Sequence, residues 1–192
     1  MRSYCTPFLV SVLAGTGLTV PLSSRAGAAC FVVGDVALPA EVAATVTSIQ
    51  NSVTCSTDGT TTISGVPDVT SGGVSFSEVN FAASTQTPLE FALSEFATST
   101  PLASNDLAKF QNELNVYLAT EAGLRSVGGS LAIKVPKFFL EFQVSRIQTA
   151  QGNAPTDPAL TVEHLLGKVT TNAAGESQSL LDQVTTLSTT LS

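Results

Sequence analysis

The sequence predicts a mainly α protein, a single compact domain built like a helical bundle with one short β or irregular element. Three observations lead there. Six segments between Pro39 and Leu191 carry apolar residues at three- and four-residue spacing, the period of a buried helix face. Several of them open on a Thr, Ser, Asn or Asp that can cap a helix, or on a proline suited to a first turn. Of 192 residues, 43% are hydrophobic and only 12% charged, which suits a packed core and argues against a disordered, charged chain.

Residues 1–29 stand apart as a secretory signal, removed from the mature chain. Arg2 supplies a positive start, and Phe8 to Ala14 an apolar run. Gly15, Gly17 and Pro21 interrupt that run before it reaches the ~20 apolar residues of a membrane span. Ala26-Gly27-Ala28 has the small-x-small pattern of a cleavage site, so the cut falls near Ala28 or Ala29. An acylated Cys30 is the alternative, but Gly27 stands where such signals prefer Leu. Cleavage removes Arg2, Arg25 and Cys5, leaving six basic residues against 15 acidic ones, a net charge of −9, and two cysteines. An even pair in an oxidising compartment implies one disulfide, Cys30–Cys55, worth roughly 3–4 kcal/mol by loop closure.

The helix-rich domain then runs over residues 30–192. Phe31-Val32-Val33, ending at Gly34, reads as a small strand. Val42, Val46, Ile49 and Val53 form a stripe on a helix from about Pro39, which carries Cys55 back toward Cys30. Thr60 to Phe81, rich in Thr, Val, Ser and Gly, reads as irregular chain with one or two short strands. Thr87 and Pro88 open a helix with Leu89, Leu93 and Phe96 on one face. Ser104 or Asn105 caps the next, with Asp106 at its positive end and Leu107, Phe110, Leu114, Tyr117 or Leu118, and Ala122 in the stripe, ending near Gly128-Gly129. Leu131 to Val135 is expected to be extended, because Val135 precedes a proline. Pro136 opens a helix apolar around most of its circumference, so Phe138 to Ile147 should be the most buried segment. Asp157-Pro158 starts a helix through Val162, Leu165, Leu166 and Val169. Leu180, Val184, Leu187 and Leu191 mark the last one.

The composition excludes several functions. An acidic chain, pI near 4.5, is a poor partner for nucleic acid. One histidine and no cysteine cluster predict no metal site, and no cofactor motif occurs. Gly73-Val74-Ser75-Phe76-Ser77 lacks the last glycine of a nucleophile elbow, and Gly167-Lys168 lacks a P-loop's upstream glycine. His164, on a helix beside Glu163, reads as an exposed or structural residue. No catalytic residue is assigned. Glu90, Glu95, Glu113, Glu121 and Glu141 all fall on helices, so a carboxylate pair stays open.

One feature points to binding. Arg125, Lys134, Lys137 and Arg146, four of the six mature basic residues, fall in one segment whose only acid is Glu141. They form a local site for an anion or a partner, or they pair with acids on neighbouring helices. The functional expectation is a non-catalytic extracellular or cell-surface interaction module, its partner a protein or glycan. The alternatives are a carrier of a small apolar, lipid-like ligand lined by Phe91, Phe96, Phe110, Phe138, Phe139 and Phe142, and then a carboxylate-based hydrolase.

Three strings, Ala29-Cys30-Phe31-Val32-Val33-Gly34, Gly65 to Gly73 and Asn115 to Gly123, resemble a family of small secreted fungal proteins of unknown function. Ala132 to Leu140 and Thr161 to Val169 are similar to the same family. The resemblance implies secretion and a fungal source, and it supplies no active site.

Intact mass of the secreted protein checks the processing. The expected species begins near Ala29 or Cys30 and is two hydrogens lighter than its reduced form. Two alkylatable thiols would contradict the disulfide.

Overall fold

The computed structural model describes residues 29–192; the expected signal, residues 1–29, lies outside them except for Ala29. The described chain is mainly α. Its elements are α1 (Ala40–Ile49), β1 (Thr54–Cys55), β2 (Val69–Ser71), β3 (Val74–Ser75), α2 (Pro88–Glu95), α3 (Leu107–Ser126), α4 (Lys134–Ala150), α5 (Val162–Asn172) and α6 (Gln178–Thr189), with short 3-10 turns between them. Helix α3 runs through the middle. The sheet and α1 pack on it from one side and α4 from another. Helix α4 also meets α2 and α5, and α6 lies against α5.

Three of the six described helices, α2, α3 and α5, start on a side-chain cap. Thr87 accepts from the Glu90 amide at 3.4 Å, as expected. For α3 the cap is Asp106 itself, accepting from the Ala108 and Lys109 amides at 3.0 and 3.2 Å. A carboxylate there answers both the orphan N–H groups and the positive helix end, so it displaces Ser104 and Asn105. Asp157-Pro158 opens only a 3-10 turn, Pro158–Leu160, and Thr161 caps α5 through the His164 amide at 3.3 Å.

Helix α4 begins at Lys134, so Leu131 to Val135 is not extended. Pro136 is the third helical residue, where an amide has no intrahelical carbonyl to reach and its loss costs no bond. Within the expected buried segment, Phe139, Leu140, Phe142 and Ile147 are inaccessible, while Phe138, Glu141 and Val144 are only partly covered. Val116 to Leu124 of α3 is at least as buried, Leu118 alone being partly exposed. Small and polar residues there hide the burial from an apolar-periodicity reading.

The Thr60 to Phe81 region supplies two strands of a three-stranded antiparallel sheet, ordered β1-β2-β3, with Cys55 opposite Val69 and Ser71 opposite Val74. Gly72 and Gly73, at φ +55° and +87°, make the two-residue turn that this register requires. Phe76 leaves the strand for a 3-10 turn and packs edge-on to Tyr117, ring centroids 5.1 Å apart. Tyr117 also meets Phe81 and Phe96, and its hydroxyl donates to the Val79 carbonyl at 2.6 Å.

Phe31-Val32-Val33 is not a strand. Phe31 is fully buried, and the chain after it lies along α3 with the Gly34 amide donating to Ser126 Oγ at 2.9 Å. The Cys30–Cys55 disulfide, Cα atoms 6.0 Å apart, joins this segment to β1.

Close approach of that segment depends on Gly123. A Cβ there would meet Val66 Cγ1 at 2.5 Å and the Phe31 carbonyl oxygen at 2.6 Å. Gly123→Ala should therefore lower stability by about 1–3 kcal/mol despite its better helix propensity. Gly167→Ala, with nothing within 4 Å, should raise it by up to about 1 kcal/mol. Urea unfolding of both variants reads the difference; equal effects would refute the packing account.

Candidate functional site

Three helices turn charged faces toward one space. On α3, Leu118, Glu121 and Arg125 follow at spacings of three and four. On α4, Lys134, Lys137, Phe138 and Glu141 do the same. On α5 the matching residues are His164, Lys168 and Thr171. With Glu41, Val42 and Thr45 of α1 they line a cleft of about 950 Å³.

The floor of the cleft is an ion-pair network around Glu121. Its Oε1 accepts from Arg125 Nε at 2.9 Å and Nη2 lies at 2.8 Å. Its Oε2 is 3.0 Å from Lys137 Nζ. The carboxylate is 5% exposed and Lys137 10%, so this is a buried pair, destabilising if one partner is removed. Lys137 Nζ also stands 3.8 Å from Glu141 Oε1 and 3.7 Å from the Phe138 ring centroid.

Glu141 is less well served. Burial pushes its carboxyl above the usual carboxylate range; Lys137 and Lys168 pull the other way, and Glu121 adds to the rise. Lys134 and Lys168 complete the group, 5.9 and 6.0 Å from the same Phe138 centroid. His164 is exposed on the cleft wall.

Of the four basic residues singled out in the sequence, the structure brings Arg125, Lys134 and Lys137 together and places Arg146 elsewhere. Arg146 is 2% exposed and donates to the Leu187 and Thr190 carbonyls, each at 2.8 Å, to Thr98 Oγ1 at 3.3 Å, and to Gln143 Oε1. It closes the carbonyl end of α6, where a cation is favoured. Burial lowers its guanidinium to about 10. Lys168 and His164 stand outside the binding set expected from the sequence, and Phe138 entered it only among the phenylalanines of the apolar-ligand alternative. The i, i+4 spacing of His164 and Lys168 on α5 was the available signal; only packing could show that it faces α4.

The phenylalanines expected to line an apolar pocket mostly pack on each other or in the core. Phe91 meets Phe96 at 5.9 Å and Phe139 meets Phe142 at 6.1 Å. Phe110 is buried, and of the six only Phe138 opens on the large cleft. A second groove of about 420 Å³ lies between α2, α4 and α6, with Leu93 and Leu187 among Thr, Ser and Gln side chains. Among the described residues, no three His, Cys, Asp or Glu side chains are grouped to hold a metal ion. No helix among them is long and apolar enough to cross a membrane.

A family model described as a domain of unknown function (DUF7143) matches residues 32–192. The chain belongs to that family. The match spans all six helices and the whole cleft. No curated protein and no solved structure matches it. The family's description carries no activity.

Glu141 provides a pH test of the site. A carboxyl raised in the folded state holds its proton to higher pH than in the unfolded chain, so its contribution to stability is lost as pH rises from the ordinary Glu value through the folded one. Glu141→Gln cannot ionise. It should match the wild type below about pH 4, where both are neutral, and exceed it at neutral pH. Melting temperatures of both proteins across that range check this; a neutral-pH loss in the variant would show that the Lys137 pair outweighs desolvation.

Proposed function

We propose that this protein is secreted, of the fungal kind its sequence resembles, and acts without catalysis as an extracellular or cell-surface binding module. The α1–α3–α4–α5 cleft is its binding site, and an anionic group on the partner is what it takes. One observation carries this reading. Lys134, Lys137 and Lys168, from two helices, place their ammonium groups within 6.0 Å of one point, the Phe138 centroid, in a chain with a formal charge of −7. Glu121 and Glu141 answer Lys137, while Lys134 and Lys168 have no carboxylate within 4.0 Å among the described residues, so an added anion is favoured beside them. The disulfide supports the extracellular setting, because such bonds persist in oxidising compartments.

A carboxylate-based hydrolase is the second reading, favoured by Glu141, a desolvated acid whose neighbour Glu121 reaches the same ammonium. A hydrolytic pair needs its second carboxylate available as base or nucleophile. Both Glu121 oxygens are held by Arg125 and Lys137, which favours binding over catalysis.

Capture from the native extracellular fluid tests the proposal. Mature wild-type protein should retain a protein or glycan that Lys134→Glu/Lys168→Glu bait fails to retain. Lys168 is exposed and Lys134 half-buried, and neither touches Glu121, so the double variant should still fold, with a melting temperature lowered by the charge added beside Glu141. Equal recovery on both baits would sink the assignment of the cleft.

A further inference from the structure

Two of the cleft's lysines have no carboxylate at contact distance among the described residues, although its lining holds as many acids as bases. Four of the six Lys and Arg residues in the described chain line it, together with four carboxylates, Glu41, Glu121, Glu141 and Glu163. Glu121 is committed to Arg125 and Lys137, and Glu141 stands 3.8 Å from Lys137 while attracting Lys168 from farther away. Among the described residues, no carboxylate comes within 4.0 Å of Lys134 or Lys168. These two ammonium groups come from different helices and lie 5.9 and 6.0 Å from the centroid of one aromatic ring.

We infer that the cleft is a site for a small multivalent oxyanion, a polycarboxylate or a phosphate, held between Lys134 and Lys168 beside the Phe138 ring. The inference rests on the binding reading above and narrows it to a ligand class. Two separated cations favour a ligand with more than one negative oxygen, because a single charge can neutralise only one of them at contact distance. The volume of about 950 Å³ is at the upper end of small-molecule sites and leaves room for an organic body against Val42 and Leu118. The tightly held Lys137 keeps the floor of the site rigid, which lowers the ordering cost of binding.

Titration calorimetry of the mature chain at neutral pH and low ionic strength, with citrate, inorganic phosphate and acetate as probes, tests this. Citrate, phosphate or both should bind saturably, and acetate at least about tenfold more weakly. Preference for citrate points to a polycarboxylate, and preference for phosphate to a phosphate group. Lys134→Ala/Lys168→Ala should lose about tenfold or more in affinity. If that variant fails to fold, Lys168→Ala, an exposed position, gives the same reading at smaller size. Glu141→Gln removes a negative charge from the same space and should tighten binding severalfold. The inference is overturned if folded wild-type protein binds neither polyanion, or if the lysine variants bind as well as wild type. Partner capture lost on the charge-reversed bait, with no binding of citrate or phosphate, would sink this inference alone. Polyanion binding with equal capture on both baits would sink the macromolecular partner instead.

Discussion

Helix α3 is covered on one side by the sheet and α1 and on another by α4, and most of the fold is arranged around that constraint. Each side chain in its second half must suit a packed neighbour. Gly123 is small because the Phe31 backbone and Val66 lie on it. Tyr117 is large because Phe76, Phe81 and Phe96 close around it, and its hydroxyl has the Val79 carbonyl to reach. Burial drives its phenol well above its ordinary pKa, so it stays a neutral hydrogen-bond donor.

Glu121 is the costly member of that helix. A carboxylate taken out of water loses several kcal/mol of hydration, so it persists there only with cations and hydrogen bonds in good geometry. Arg125 satisfies one oxygen from the next turn of α3, and Lys137 the other from α4. The bond to Lys137 links the two helices that form the cleft floor. It also fixes where the Lys137 ammonium sits, over the face of Phe138, and so the point around which Lys134 and Lys168 gather. Structure and candidate function share this one interaction.

Arg146 shows the other use of a buried cation. It lies nine residues after Lys137 on the same helix and faces a different neighbour. Its hydrogen bonds go to backbone carbonyls and neutral side chains, so it ends α6 and offers no open charge. Two cations of one helix thus do different work because helical rotation sends them to different surroundings.

Local chemistry was legible in the residue order. Helix periodicity gave the six helices, Thr87 acts within a few residues, and an even cysteine pair implied the bond seen between Cys30 and Cys55. Such signals survive in a sequence because their partners are near neighbours or few in number. Tertiary packing decided the rest. Phe31 became a buried anchor because α3 has a glycine to receive it, and Val116 to Leu124 became core although Ala, Thr, Glu and Gly dominate it. The cleft belongs to the same class. Lys134 and Lys168 are far apart along the chain, and nothing in their local context pairs them. Their convergence on Phe138 follows from the packing of α4 on α5, and the charge each feels depends on carboxylates that other helices bring or withhold.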